Sequence, residues 1–466
     1  MWGKIITATD LVWFVFLFLV FYWYANKVVN LNIKEKPHYR YFTRALVFRM
    51  LMGLVFLGIY IFYYGGGDTI NYWEAANAYK NLFTANFDQF LELMTMSVTE
   101  SNNYKFWEYL HGEGVVHGNI HPSIWKRSEN LFIVRAATLP MILTGGSIAG
   151  TTAIFAFFSF LSIWKIYQIF LHYFPERHKE LNLSILLMPS VAFWGSGIMK
   201  DTLTMIGMGF FLDALFRRFV THKIDPVSFF IQAFIAGWLI FKAKPYILIA
   251  MTPGLLIWLN FDAVKQIKSL LIRVVVLPAL VFGSLIGATA FYLRGGERFG
   301  EYSADTVLEK ASLTQQDLVR DQYGDNKFDI GAFEPTIQGI IPKIPIAINA
   351  GLYRPYLWES GSPTMFFSGL ENSYLLIWSL ILLYRTKVLG FFTRIFTYPL
   401  FIFCLSFSLF LAFSIGLTAG NFGAMVRYKI PLLPFFTSMI MVLSFMKLSA
   451  KPKLEGPVVE GGKMKK

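Results

Sequence analysis

The chain alternates long apolar runs with short polar breaks, and many of the runs are long enough to cross a lipid bilayer. A helix needs about 20 apolar residues to span the hydrocarbon core. Read on that basis, the pattern predicts about 11 spans. They are Leu11–Ala25, Leu46–Tyr64, Gly150–Phe174, Leu181–Met199, Thr202–Phe216, Pro226–Phe241, Ile247–Asn260, Val274–Leu293, Ser373–Tyr384, Thr397–Leu417 and Pro431–Phe445. Leu131–Thr144 is also apolar, but Arg135 and Pro140 interrupt it, and it reads as an interfacial helix. No internal repeat breaks the pattern. The expected fold is all-α: one polytopic membrane domain over residues 1–447, with a Gly- and Lys-rich disordered tail over 448–466. The first run has only Lys4 as a basic start, no small-residue cleavage site follows, and Lys27, Lys34 and Lys36 come after it, so it reads as a retained helix.

Composition agrees. Of 466 residues, 55% are apolar and only 15% charged, with a mean hydropathy of +0.50. Soluble domains are roughly a quarter charged, so this chain could not clothe a water-exposed surface. A net charge of +13 would suggest nucleic acid in a soluble protein, but here the charge sorts by side. One set of alternate loops, together with the tail from Met446, holds 22 basic and 7 acidic residues. The two long loops of the opposite set, Gly65–Ala149 and Arg294–Asn372, hold 12 basic and 19 acidic residues. Basic loops stay in the cytoplasm, so the tail is expected inside, and the N-terminus and both long loops outside. The lone Cys404 permits no intrachain disulfide.

Candidate chemistry collects at the outer helix ends. After the second run, Gly65-Gly66-Gly67 lets the backbone turn sharply and approach a ligand. Asp68 follows at the membrane surface, with Asn71 and Tyr72 placed to orient a hydroxylated ligand. An aspartate opening a helix is also a common cap, and that reading stays open. Pro189, Gly195 and Gly197 loosen the fourth run before a Lys200–Asp201 pair. Lys242 and Lys244 end the sixth run on the outer side, against the positive-inside bias. Arg354 and Glu359 close the second long loop, and Glu371 enters the ninth run. Asn421, Arg427 and Lys429 precede the last one.

Cations crowded at one depth repel unless anions come between them. Asp68, Asp201, Glu359 and Glu371 supply some balance, and a lipid-borne phosphate or diphosphate would supply the rest. The spacing of His111, His117 and His121 with Glu108 and Glu113 allows a metal on paper, but Gly112, Gly114, Gly118 and Pro122 break any helix that would align them. No cofactor is expected. A phosphate loop of the G-x-x-x-x-G-K type is absent, and so is a G-x-S-x-G nucleophile.

The Gly67-Asp68-Thr69 loop, the segment Pro189 to Asp201 and the closing Arg427-Tyr428-Lys429-Ile430-Pro431 together resemble a known group. It comprises bacterial membrane enzymes that handle polyprenyl-linked sugars: GT-C type glycosyltransferases, and O-antigen and exopolysaccharide polymerases of the Wzy and EpsG type. The resemblance implies residence in the inner membrane, a catalytic acidic residue in the first outer loop, matched here by Asp68, and arginines holding the lipid diphosphate, matched in type by Arg354 and Arg427. The charges extend that expectation to Lys200, Lys242, Lys244 and Lys429 as phosphate ligands. Asn71, Tyr72, Asp201, Glu359, Glu371 and Asn421 are expected to support them. The expected partners are a polyprenyl-linked sugar and membrane lipid, with no nucleic acid. A transporter or flippase, and a membrane scaffold of an export machine, are the competing readings.

Overall fold

The structure is a computed structural model that describes residues 6–99, 101–111, 120, 123–260, 328–331, 333–334 and 336–446. The expected span Val274–Leu293, the polar stretch Ser303–Gln322 and the tail from 448 lie outside the described residues. The regular elements among those described are helices, as expected for an all-α membrane protein.

Among the described residues, six helices are long and apolar enough to cross a bilayer: Ala8–Asn32, Pro37–Tyr63, Ile148–Tyr173, Pro226–Ala243, Pro363–Thr397 and Pro399–Thr418. A seventh arises if Phe422–Tyr428 and Leu433–Phe445, bent by 70°, count as one span. Six or seven such spans therefore stand among the described residues, where about 11 were expected over the whole chain, one of them, Val274–Leu293, outside the described residues. The shortfall has local causes. Leu181–Met199 is divided into His178–Leu181, a π-turn over Asn182–Leu186, and Pro189–Trp194. Pro189 forbids the helical conformation at Met188, which is extended, and the chain leaves the helix at Gly195. Thr202–Phe216 lies in Lys200–Leu215, of 16 residues, and Ile247–Asn260 in Pro245–Leu259, of 15. The second is shorter than a bilayer core, whereas the first continues as the π-turn Phe216–Val220 and is set apart by its charges, Lys200, Asp201, Asp213, Arg217 and Arg218. Ser373–Tyr384 is the middle of a 35-residue helix broken at Lys387, where φ is 55°.

The stretch expected as an interfacial helix folds as Ser128–Leu143. Leu131, Ile133, Val134, Ala137 and Met141 are buried, and the helix packs on Asp68–Ala85 and Ile148–Tyr173. Protein therefore receives that face. Arg135 lies along it and donates from Nε to the Leu93 carbonyl at 3.0 Å, tying down the end of the Phe87–Thr95 helix.

Small residues set how closely the helices approach, as is usual where lipid removes the hydrophobic drive for association. Ser162 Oγ accepts from Gly209 N at 3.1 Å, and Gly207 meets Ile240 and Ala236 on another helix. The tightest pair is Ile344–Tyr353 against Pro399–Thr418. A Cβ on Gly351 would stand 2.0 Å from the Ala412 carbonyl oxygen, and one on Gly416 2.0 Å from that of Ala347. Gly351→Val should therefore cost at least about 1–3 kcal/mol through overpacking. Gly58 has open space around the equivalent position, so Gly58→Ala should be neutral or stabilising. Thermal melting of the two purified variants checks the contrast.

Arg49 is 1% exposed in the second long helix and donates from Nη1 to the Val191 carbonyl at 2.8 Å. Ser196 Oγ returns a bond to the Arg49 carbonyl at 3.3 Å. These contacts hold the broken segment from Pro189 to Met199 in place, just before Lys200.

Candidate functional site

At one end of the bundle, chain reversals bring distant charged residues together. The π-turn Ile59–Tyr63 closes the second long helix, and Gly65, Gly66 and Gly67 follow with φ of 71°, 153° and 102°. Side chains rarely adopt these values, so the three glycines are a backbone requirement. They swing the chain into the helix Asp68–Ala85, with Asp68 in its first turn. Asp201 occupies the first turn of Lys200–Leu215. A helix N-terminus favours a carboxylate in both places.

Arg427 links the two acids. Its Nη2 donates to Asp68 Oδ2 at 3.1 Å and stands 3.6 Å from Asp201 Oδ2. Asp201 is 1% exposed and forms a buried ion pair through Oδ1 with Lys244 Nζ. The Asp68 side chain remains 46% exposed, so the group opens to its surroundings there. Aromatic faces line the cations: Lys244 Nζ lies 4.9 Å from the Tyr428 ring centre, and Arg427 Cζ lies 5.7 Å from that of Trp194. Such contacts partly replace lost hydration.

Lys200 joins from the side. Its Nζ donates to Asn130 Oδ1 at 2.9 Å, and the Tyr72 hydroxyl donates to the same oxygen at 3.0 Å. Burial, with the Asp68 carboxylate adding to it, raises the Tyr72 phenol above its ordinary range, which keeps it a donor. Lys200 feels Lys244, Glu129, Asp68 and Asp201 electrostatically. Arg427 Nε and Asp201 Oδ2 are buried without a hydrogen-bond partner among the described residues. Unmet buried donors and acceptors are costly. Both sit where Arg427 meets the acids.

A second polar group lies next to the first. Arg354 pairs with Glu359, with Nε donating to Oε2 at 3.0 Å, and its guanidinium is 4.6 Å from the Phe328 ring centre and 5.2 Å from that of Phe422. Lys429, 1% exposed, donates to the Arg354 carbonyl at 2.7 Å and to Asn372 Oδ1 at 2.9 Å, with Glu371 nearby. These side chains fasten the end of Ile344–Tyr353 to the start of Pro363–Thr397.

Of the residues expected at the site, Asp68, Tyr72, Lys200, Asp201, Lys244 and Arg427 therefore come together. Arg354, Glu359, Glu371 and Lys429 form the neighbouring group. Lys242 is exposed and makes no hydrogen bond or ion pair among the described residues. Asn71 is half-buried with no side-chain bond among them. Asn421 caps the helix Phe422–Tyr428 by accepting from Ala424 N at 2.7 Å. Asn130, Trp194 and Tyr428 belong to the site without having been singled out. Trp194 and Tyr428 stand inside segments that drew attention, whereas Asn130 precedes an apolar run with no signal of its own.

His111 stacks on Trp107 and contacts its carbonyl, while His117 and His121 lie outside the described residues. Among the described residues, no three His, Cys, Asp or Glu side chains stand close enough to hold a metal ion. Comparison with protein-family models, curated proteins and solved structures finds no match to this chain.

Proposed function

We propose that the chain is a membrane glycosyltransferase whose donor is a polyprenyl phosphate- or diphosphate-linked sugar or oligosaccharide, acting at the outer face of a bacterial inner membrane in cell-surface glycan assembly. A polymerase of the same site type has the same chemistry with a longer acceptor. The sidedness follows from the loop charges. The observation that carries the reading is Arg427 shared between the open Asp68 and the buried Asp201, with Lys244 and Lys200 beside them.

The arrangement suits a phosphate leaving group. The incoming phosphate competes with Asp68 for Arg427, taking charge-assisted bonds from the guanidinium and from Lys200. Asp201 and Lys244 hold Arg427 from behind. Release of Arg427 leaves the Asp68 carboxylate free as general base. The acceptor hydroxyl oxygen then attacks the anomeric carbon. The bond from that carbon to the phosphate oxygen breaks, its electron pair leaves on the phosphate, and the hydroxyl proton passes to Asp68. Arg427 and Lys200 stabilise the developing phosphate charge.

Two lysines only two positions apart give the test. Lys244→Ala removes the buried partner of Asp201 and should abolish glycan assembly in cells that accumulate the protein. Lys242→Ala, at an exposed position that makes no ion pair among the described residues, should leave assembly at the wild-type level. Equal loss in both variants would refute the site.

A further inference from the structure

A cavity lies at the opposite end of the bundle from the charged site. It encloses 590 Å³ between the helices Pro363–Thr397 and Leu433–Phe445. Trp378, Ile381, Leu382, Leu443 and Phe445 form apolar walls, and Arg385 and Arg394 supply charge. The volume is that of a small-molecule site. No acidic side chain is among its lining residues.

The two arginines reach one cavity because of the break at Lys387. They are nine residues apart, which on an unbroken helix places them on opposite faces. The non-helical turn at Lys387, with φ of 55° and ψ of 160°, redirects the last segment and brings Arg394 to the space that Arg385 lines. A non-glycine residue in so sparsely populated a backbone region costs on the order of 1–3 kcal/mol, so the turn is held by its surroundings. Arg385 makes no hydrogen bond or ion pair among the described residues.

Within the walls, Trp378 donates to Ser444 Oγ at 2.8 Å and forms a partition. Beyond it lies a second recess of 270 Å³, lined mostly by apolar side chains such as Leu375, Ile440 and Met441, with Glu371 also on its wall. Apolar space thus runs along the helix seam away from the arginines. An occupant must be anionic at one end and hydrocarbon along the rest.

We infer that this cavity is a binding site for an anionic phospholipid, with the headgroup phosphate between Arg385 and Arg394 and one acyl chain along the seam toward Trp378. Basic pockets between membrane helices select such headgroups, and guanidinium forks suit phosphate oxygens. The site is separate from the Asp68–Arg427 group and stands whether or not the glycosyl-transfer reading does.

The test is thermal melting of the purified full chain in neutral detergent with three probes: phosphatidylglycerol, phosphatidylcholine of identical acyl chains, and inorganic phosphate. Phosphatidylglycerol should raise the melting temperature beyond phosphatidylcholine, and inorganic phosphate alone should not. Arg385→Gln/Arg394→Gln should lose that headgroup-specific increment while keeping any shift common to both lipids. If the double variant does not accumulate, Arg385→Gln alone, at an exposed position, should show a reduced increment. An undiminished increment in the variants, equal stabilisation by the two lipids, or a full effect from inorganic phosphate alone would each overturn the assignment.

Discussion

Asp68→Ala should reduce glycan assembly by about 100- to 10,000-fold, the usual worth of a general base, with the protein accumulating normally. The side chain is half exposed, and its partner Arg427 keeps a second carboxylate at 3.6 Å. Removing Asp68 therefore leaves no buried charge stranded. Asp68→Asn keeps the shape and the capacity to accept a bond from Arg427 but cannot take the proton, so it should be as inactive as alanine. Arg427→Ala should lose a comparable factor by removing the main phosphate ligand. Arg427→Lys should recover little, because a point charge cannot serve two carboxylates and a phosphate as a planar fork does. Glycan output normalised to protein level in cells checks all four variants.

The second large effect is on stability. Asp201 is 1% exposed and neutralises Lys244, itself 7% exposed in its side chain. Removing one partner of a buried ion pair leaves an uncompensated charge and costs about 3–5 kcal/mol. Asp201→Ala should therefore reduce accumulation in the membrane and lower the melting temperature sharply. Lys244→Met in the same chain removes the stranded cation, so the double variant should accumulate better than Asp201→Ala alone while remaining inactive. A double-mutant cycle on melting temperature measures the coupling. If the second substitution fails to restore any stability, the pair does not contribute in this way.

Much of this was legible in the residue order. Glycine and proline at helix ends mark the reversals after Tyr64, around Gly195 and before Tyr246, and those reversals carry Asp68, Asp201 and Lys244. Direction was the missing quantity. Lys242 still belongs to the helix Pro226–Ala243, whereas Lys244 follows it with φ of −154°, and that change of backbone turns only the second lysine to Asp201. Arg427 and Lys429 diverge for a similar reason: Arg427 lies in the helix Phe422–Tyr428 and Lys429 caps its end.

The number of spans was less legible. Apolar content alone does not separate a full span from the short helix Pro245–Leu259 or from the segments on either side of Pro189. The packing of Ser128–Leu143 depends on complementary surface from Asp68–Ala85, which its own sequence does not encode. The break at Lys387 has neither proline nor glycine to announce it. It follows from tertiary packing, and so does the cavity it shapes.

The most direct measurement is transfer by the purified chain in proteoliposomes supplied with a polyprenyl diphosphate-linked sugar and a hydroxylated acceptor, with formation of the new glycosidic bond as the readout. The expected result is bond formation by the wild-type chain that disappears in Asp68→Ala. Lipid-linked sugar crossing the membrane without any new bond, or bond formation undiminished in Asp68→Ala, would contradict a catalytic role for the Asp68–Arg427 site.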